Sequence, residues 1–134
     1  MTTILIIDDD ARFRTQARDL LEADGFLVIG EAVDGASGLE AVAALRPDFV
    51  LLDIGLPDVE GFEVARNLAI DGPPPLVVLT SSRDARAYGR RLTNGQALGF
   101  ISKEQISGAA IRALAEVGHD GLVFRLEGEV PRAG

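Results

Sequence analysis

Five residues of the sequence have side chains that could together hold a cation and an anion. Asp8, Asp9 and Asp53 offer carboxylates, which can act as nucleophiles or as ligands for a hard metal ion. Thr80 offers a hydroxyl that can donate a hydrogen bond, and Lys103 offers a positive charge. Because these residues lie far apart in the sequence, joint chemistry depends on a fold that brings them together.

Short apolar runs alternate with helical patterns along the sequence, and the strands and helices that they predict could bring these residues together. The apolar runs predict strands at residues 3–8, 26–32, 48–53, 75–80 and about 97–102. Periodicity, caps and breakers predict helices over residues 10–24, about 35–46, about 61–69, about 83–93 and about 104–117. Strands that are apolar throughout, rather than alternating, indicate a parallel sheet with helices on both faces. We therefore expect an α/β, flavodoxin-like, doubly wound five-stranded parallel sheet of strand order 2-1-3-4-5, with five helices.

The five polar residues all fall at the carboxyl ends of predicted strands, where ligands bind in such a sheet. Three carboxylates at this edge would repel one another, each pair by about 4 kcal/mol at an effective dielectric constant of about 20. A divalent cation removes that repulsion, and oxygen ligands that leave room for water suit Mg²⁺. The sequence therefore predicts a Mg²⁺ site formed by Asp8, Asp9 and Asp53.

Composition narrows the class of protein. The chain has 134 residues, which suits one domain, and a formal net charge of −8. This acidic balance argues against direct binding of nucleic acid or of an anionic membrane by the domain. Since cysteine is absent from the sequence, disulfides, thiolate metal sites and cysteine nucleophiles are excluded. We expect a cytoplasmic location, because the apolar run in MTTILIIDDD is too short for a signal peptide or a membrane span.

The motifs around the polar residues are similar to those of a known family. IIDDD, LLDIGLPDVEG, VVLTSS and FISKE occur in this order, each at a predicted strand end. As a set they closely resemble the receiver domain of bacterial two-component response regulators, over residues 3 to about 117. The stretch from IGEAVDG to EVAR and the ending GFISKE look most like receivers that precede a helix-turn-helix DNA-binding domain.

The resemblance implies a role for each acidic residue. Asp53 matches the phosphoacceptor, which takes a phosphoryl group from a histidine kinase or a phosphotransfer protein. Asp8 and Asp9 match the acidic pair that holds Mg²⁺ together with Asp53, and the backbone carbonyl of Gly55 matches a further ligand. We therefore expect Mg²⁺-dependent phosphorylation of Asp53.

Three further residues match groups that respond to the phosphoryl group. Thr80 matches the hydroxyl that bonds a phosphoryl oxygen, Lys103 the ammonium that pairs with it, and Phe100 the aromatic whose rotamer follows the hydroxyl. The resemblance implies a switch that catalyses only its own phosphorylation and dephosphorylation. It also implies repacking of the surface of the fourth helix, fifth strand and fifth helix, and a homodimer through this surface is an open expectation.

Two other functions stay open as alternatives. A haloacid-dehalogenase-type phosphohydrolase also uses an aspartate nucleophile and Mg²⁺, but that family has a second aspartate two residues after the nucleophile, where this chain has Gly55. A phosphorylation-independent receiver-like binding module is the other alternative. The intact set of Asp53, Thr80 and Lys103 favours a phosphorylated switch over both.

The domain boundary and the remaining titratable residues complete the predictions. We expect residues 1–118 to be the receiver domain and residues 119–134 to be a C-terminal tail or the start of a linker, with LVFRLEG as an added edge strand. The chain is then either a stand-alone receiver or part of a longer regulator.

His119 is expected to be exposed to solvent. Asp10 and Asp34 are interpreted as helix N-caps, and Asp58 as a loop residue.

Overall fold

The computed structural model of the protein describes residues 1–70, 72–92, 97–118 and 125–127. The strands are β1 (Thr3–Ile7), β2 (Leu27–Ala32), β3 (Phe49–Asp53), β4 (Leu76–Ser81), β5 (Gly99–Ser102) and β6 (Arg125–Glu127). The α-helices are α1 (Ala11–Ala23), α2 (Gly35–Leu45), α3 (Gly61–Leu68) and α4 (Gly108–Gly118). The expectation for His119, and that for the tail apart from β6, lie outside the described residues.

The described strands form one parallel sheet in the order β2-β1-β3-β4-β5-β6. This order confirms the predicted flavodoxin-like arrangement, 2-1-3-4-5, for the first five strands. β6 pairs in parallel with β5 and lies within the segment LVFRLEG, which the sequence indicated as an added edge strand. The strand order reverses between β1 and β3, so the carboxyl ends of these two strands border the crevice in which ligands of such sheets bind.

Successive side chains of the central strands point to opposite faces of the sheet, and both faces are buried. Ile4 and Ile6 of β1 pack with α1 and α4 on one face, whereas Leu5 and Ile7 pack with α2 and α3 on the other. All four side chains are fully buried. Each buried aliphatic side chain contributes about 1.5–3 kcal/mol to folding. The central strands are therefore held from both sides, which makes their carboxyl ends a firm support for polar side chains.

Two aspartates begin helices directly after strands, as the sequence predicted. The Asp10 side chain accepts hydrogen bonds from the backbone N–H groups of Arg12 and Phe13, which caps α1. Asp34 forms a capping box with Ser37 at the start of α2. Both helices consequently start at the carboxyl edge of the sheet.

The prediction of five helices needs one correction. Within the described residues there are four α-helices, and the predicted fourth helix, over about residues 83–93, is replaced by two 3₁₀ turns, Ala85–Ala87 and Gly89–Leu92. The sequence explains the difference: only Leu92 of these turns is buried, so little apolar surface anchors a longer helix. Gly89 also adopts a positive φ of 57°, which interrupts the helical backbone between the turns.

Gly61, at the start of α3, packs directly against the backbone that follows β3. A Cβ atom at this position would lie 2.5 Å from the carbonyl oxygen of Asp53 and 2.9 Å from Cα of Ile54. The Gly61 N–H also donates a hydrogen bond to the Ile54 carbonyl at 2.8 Å. A side chain larger than hydrogen would push α3 away from the end of β3.

We predict that Gly61→Ala lowers the free energy of unfolding by about 1–3 kcal/mol, because the clash is with backbone atoms that cannot rotate away. Urea unfolding followed by circular dichroism measures this change. Gly55→Ala is the matched control, since a Cβ there would have only the Asp53 Oδ1 atom within 4 Å, at 4.0 Å. Equal stability of the two variants would contradict the packing argument.

Candidate functional site

The parallel sheet brings the predicted site residues to one edge. Asp8 directly follows β1, Asp53 is the last residue of β3, and Lys103 directly follows β5. Thr80 of β4 is the register partner of Asp53. Residues from four separate segments of the chain therefore surround one point, which is the arrangement that the strand ends predicted.

Three carboxylates lie together at this point. Asp8, Asp9 and Asp53 each offer one oxygen, and these oxygens all lie within 4.8 Å of one another. Asp8 is fully buried and Asp53 is 5% exposed, whereas Asp9 faces solvent. A group of this kind can hold a metal ion, with its open side toward water.

Lys103 is the positive charge of the cluster. Its Nζ atom lies 2.8 Å from Asp8 Oδ2 and 3.7 Å from Asp53 Oδ2. It also lies 4.6 Å from the centre of the Phe13 ring, a cation–π contact from α1. Burial lowers the pKa of Lys103, but contacts with Asp8 and Asp53 outweigh burial, so the pKa is raised overall. Lys103 therefore stays protonated. It is also the only lysine in the chain.

Asp53 is a buried carboxylate whose surroundings shift its pKa. Burial and then the nearby charge of Asp8 raise its pKa, while Lys103 and the Gly55 N–H, which donates to Asp53 Oδ1 at 3.2 Å, partly offset them. The net pKa is raised. One ammonium thus does not fully compensate the buried carboxylates, and a further cation would favour the ionised form.

One buried oxygen of the site, Thr80 Oγ1, has no hydrogen-bond partner within the described part of the chain. Asp8 Oδ2, which is also buried, is paired with the Lys103 ammonium. Thr80 Oγ1 is fully buried. Buried hydroxyls are almost always hydrogen-bonded, so an unpaired one at a site edge is available to an incoming ligand.

Gly55 and Phe100 are the other two residues that the sequence singled out. Gly55 follows β3 and is exposed, and its N–H donates to Asp53. Phe100 of β5 is 2% exposed, and its ring packs against Tyr88, with the ring centroids 6.3 Å apart. In this structure Phe100 therefore lies inward, as part of the core beside β4.

Three contacts that sequence reasoning missed support the site. Arg14 of α1 donates to the Asp8 carbonyl at 2.8 Å and pairs with Glu31. The Asp58 side chain accepts the N–H groups of Gly35 and Ala36 at the start of α2, which ties the loop after β3 to that helix. The Ser81 and Tyr88 hydroxyls are hydrogen-bonded to each other. Of the three, only Asp58 carried a sequence signal, as an acid in the loop beside the site.

Comparison with known proteins identifies the family. The family model for the response regulator receiver domain matches residues 4–115, and the chain belongs to this family. Receiver domains of response regulators act in two-component signalling. None of the helices within the described ranges has the length and apolar character needed to cross a bilayer.

Among proteins similar to this chain are BvgA of Bordetella pertussis, whose name describes a positive transcription regulator of virulence factors, and a protein-glutamate methylesterase/protein-glutamine glutaminase of Nocardioides sp. BvgA is 38% identical over 102 residues, which cover 76% of this chain and 49% of BvgA. The methylesterase is 32% identical over 134 residues, which cover 98% of this chain and 36% of the enzyme. This chain thus spans about half of the first relative and about a third of the second.

The fold has a close counterpart among solved structures. The signal receiver domain of NarL from Mycobacterium tuberculosis superposes with a TM-score of 0.77 at 30% identity, covering 88% of this chain and 96% of that domain. The response regulator domain of Thermotoga maritima CheB gives a TM-score of 0.68 at 26% identity, covering 90% of this chain and 92% of that domain. Sequence and fold therefore agree on the family.

We predict that Asp53→Asn raises the free energy of unfolding by about 1 kcal/mol in metal-free buffer at neutral pH, because it removes a buried charge that Asp8 repels. A carboxyl with a raised folded pKa costs stability above that pKa, and the cost disappears as pH falls through it. The difference in free energy of unfolding between Asp53→Asn and wild type should therefore be smaller at acidic pH.

Urea unfolding with EDTA present, at neutral and acidic pH, measures this difference. Asp19→Asn, at an exposed position of α1, is the control for loss of one negative charge. An Asp53→Asn protein that is less stable than wild type at neutral pH would show that the site is not electrostatically strained.

Proposed function

We propose that this receiver domain is a phosphorylation switch in which Asp53 accepts a phosphoryl group from a histidine kinase or a phosphotransfer protein. The proposal rests on one observation: the Asp53 carboxylate lies with those of Asp8 and Asp9 within 4.8 Å, beside the Lys103 ammonium. Family membership supports the same role, since the motif around Asp53 matches the phosphoacceptor motif.

Asp8, Asp9 and Asp53, with the backbone carbonyl of Gly55, are the residues proposed to hold Mg²⁺. The donors are all oxygens, which suits this ion, and one oxygen of each of the three acids lies within 4.8 Å of the others. Exposure of Asp9 leaves space for the waters that Mg²⁺ keeps. When bound, Mg²⁺ would neutralise the carboxylates and the charge that develops on the phosphoryl oxygens.

In the proposed reaction, a carboxylate oxygen of Asp53 attacks the phosphorus of phosphohistidine in line with the bond that breaks. The P–N bond breaks, its electron pair leaves with the imidazole nitrogen, and an acyl phosphate forms on Asp53. Phosphoryl transfer depends mainly on positioning and charge. The domain would thus catalyse its own phosphorylation, and attack of water on the same phosphorus would break the bond to Asp53, release inorganic phosphate and restore the carboxylate.

Thr80 and Lys103 are proposed to bind the transferred group. The Lys103 ammonium, 3.7 Å from Asp53 Oδ2, is near enough to pair with a phosphoryl oxygen on that side chain. The Thr80 hydroxyl, in the strand position that pairs with Asp53, is unpartnered within the described residues and can donate to another oxygen. A shift of Thr80 toward the phosphoryl group would free space beside Phe100, whose reorientation would change the surface around β5.

The switched surface in this structure comprises the two 3₁₀ turns after β4, together with β5 and α4. These turns correspond to the predicted fourth helix, and α4 to the predicted fifth. We propose that this surface contacts the output partner, a second copy of the chain being one candidate. The domain itself is not proposed to bind nucleic acid or membrane, and a cytoplasmic location is the expectation that fits a kinase partner. Transcription control and ester hydrolysis, named for the longer relatives, are candidate outputs of a complete regulator.

We predict that acetyl phosphate with Mg²⁺ adds about 80 Da to the protein, the mass of one phosphoryl group. Intact-mass spectrometry measures the adduct, which should be absent without Mg²⁺ and absent in Asp53→Asn. Asp19→Asn is the matched control and should keep the adduct, since Asp19 is exposed on α1.

Each alternative predicts a different outcome. Wild-type protein without an adduct would contradict the switch and favour the phosphorylation-independent binding module. Rapid hydrolysis of many equivalents of a phosphoester would favour the phosphohydrolase. An adduct that persists in Asp53→Asn would show that another residue is the acceptor.

A further inference from the structure

Tyr88, the single tyrosine of the chain, connects the segment after β4 to the end of that strand. It lies between the two 3₁₀ turns, Ala85–Ala87 and Gly89–Leu92, and is half-buried. Its hydroxyl oxygen lies 2.6 Å from Ser81 Oγ, a short hydrogen bond. Ser81 is 3% exposed and directly follows Thr80, so this bond fixes the residue next to the unpartnered Thr80 hydroxyl.

Ser81 is bound from a second direction as well. Its Oγ atom accepts the backbone N–H of Arg83 at 3.0 Å. The Ser81 hydroxyl is therefore hydrogen-bonded both to the backbone of Arg83, just after β4, and to the hydroxyl of Tyr88. Because Ser81 is buried, breaking the bond to Tyr88 would leave its hydroxyl oxygen with the Arg83 N–H as its one hydrogen-bond partner among the described residues.

The Tyr88 ring lies between aromatic rings from two other elements. Its centroid lies 5.8 Å from that of Phe62 in α3, at an interplanar angle of 67°, and 6.3 Å from that of Phe100 in β5. Both separations are in the range of favourable aromatic pairs. Phe100, itself 2% exposed, thus has Tyr88 as a direct neighbour. A single side chain touches the strand end at Ser81, the core aromatic at Phe100 and the helix at Phe62.

The segment that carries Tyr88 has few buried side chains, although Ala85 packs against the core and Arg91 pairs with Glu60 and lies over the Phe62 ring. Among residues 83–91 none is buried, and a Cβ built on Gly89 would have no heavy atom within 4 Å. Gly89 has a positive φ of 57°, which lets the backbone turn directly after Tyr88. Few apolar contacts mean low local stability, so the hydroxyl bond and the ring contacts of Tyr88, beside the contacts of Arg91, help to hold this segment in place.

We propose that Tyr88 is a positioning residue for the phosphoryl-transfer site: through its hydrogen bond to Ser81, it holds Thr80 and Phe100 in the arrangement of the unphosphorylated state. The inference rests on the proposed function of Asp53 and Thr80. When Thr80 moves to bond a phosphoryl oxygen, Ser81 moves with it through the shared backbone, and the Ser81–Tyr88 bond opposes that movement. Removing the bond destabilises the resting arrangement alone and so favours the phosphorylated one.

The test compares wild type, Tyr88→Phe, Ser81→Ala and the double variant in their affinity for beryllium fluoride with Mg²⁺, a stable mimic of the phosphoryl group. Tyr88→Phe keeps the ring and removes only the hydroxyl. Ser81→Ala removes the same bond from the other side, together with the acceptor of the Arg83 N–H, so the result does not depend on one variant folding. The apparent dissociation constant is measured by following backbone amide signals in an NMR titration, and the free energy of unfolding of each protein by urea.

Each single variant is expected to bind beryllium fluoride about three- to tenfold more tightly than wild type, the range that one net hydrogen bond provides. The double variant should bind no more tightly than Ser81→Ala alone, because that variant already lacks the bond that Tyr88→Phe removes. Thr15→Val, which removes a hydroxyl from the exposed face of α1, is the control and should bind like wild type.

Two results would overturn the proposal, and they differ. If wild type binds and both single variants bind within twofold of wild type, or more weakly, Tyr88 has no positioning role. This conclusion holds even if the variants have a lower free energy of unfolding in urea, because a loss of packing alone would lower that free energy without tightening the binding of beryllium fluoride. If wild type takes no beryllium fluoride, the proposed function of the site fails, and the role of Tyr88 fails with it.

Discussion

The repulsion among three carboxylates at the carboxyl edge of the sheet, incompletely balanced by Lys103, is the interaction on which the rest of the structure depends. Strands β1 and β3 are buried on both faces and cannot move apart, so Asp8 and Asp53 stay close although their charges oppose it. The folded state therefore carries an unfavourable electrostatic free energy at this site, which burial of the hydrophobic core offsets. A divalent cation would relieve that cost, which couples its binding to the electrostatic energy of the site.

The surroundings of the site differ in how firmly they are held. On the side of β1 and β3, Arg14 bonds the Asp8 carbonyl and Asp58 bonds the start of α2, so the acids have fixed supports. On the side of β4, the chain continues into short 3₁₀ turns with one buried residue, Leu92. A two-state signalling element requires a rigid part, which holds the reactive groups, and a less firmly packed part, which can rearrange.

Much of the fold followed from the sequence because its signals were local. Apolar strands, aspartate caps and breakers predicted the sheet order and the starts of α1 and α2, and the order of strand ends predicted the cluster of acids with Lys103. Burial is harder to infer from the sequence: Leu20 of α1 is apolar, yet it is 40% exposed, since Phe13, Ala17 and Leu21 fill the interface of this helix with the sheet. The Ser81–Tyr88 bond had no local pattern, because it depends on how an irregular segment folds back.

A calorimetric titration of Mg²⁺ into wild type and Asp9→Asn tests the electrostatic account most directly. Asp9 is exposed, so its substitution should leave the fold unchanged while it removes one ligand. The account predicts one Mg²⁺ per wild-type chain and binding at least about tenfold weaker in the variant, the size of effect that loss of one charged contact of about 1.4 kcal/mol produces. Equal affinity in the two proteins, or wild type that binds no Mg²⁺, would contradict it.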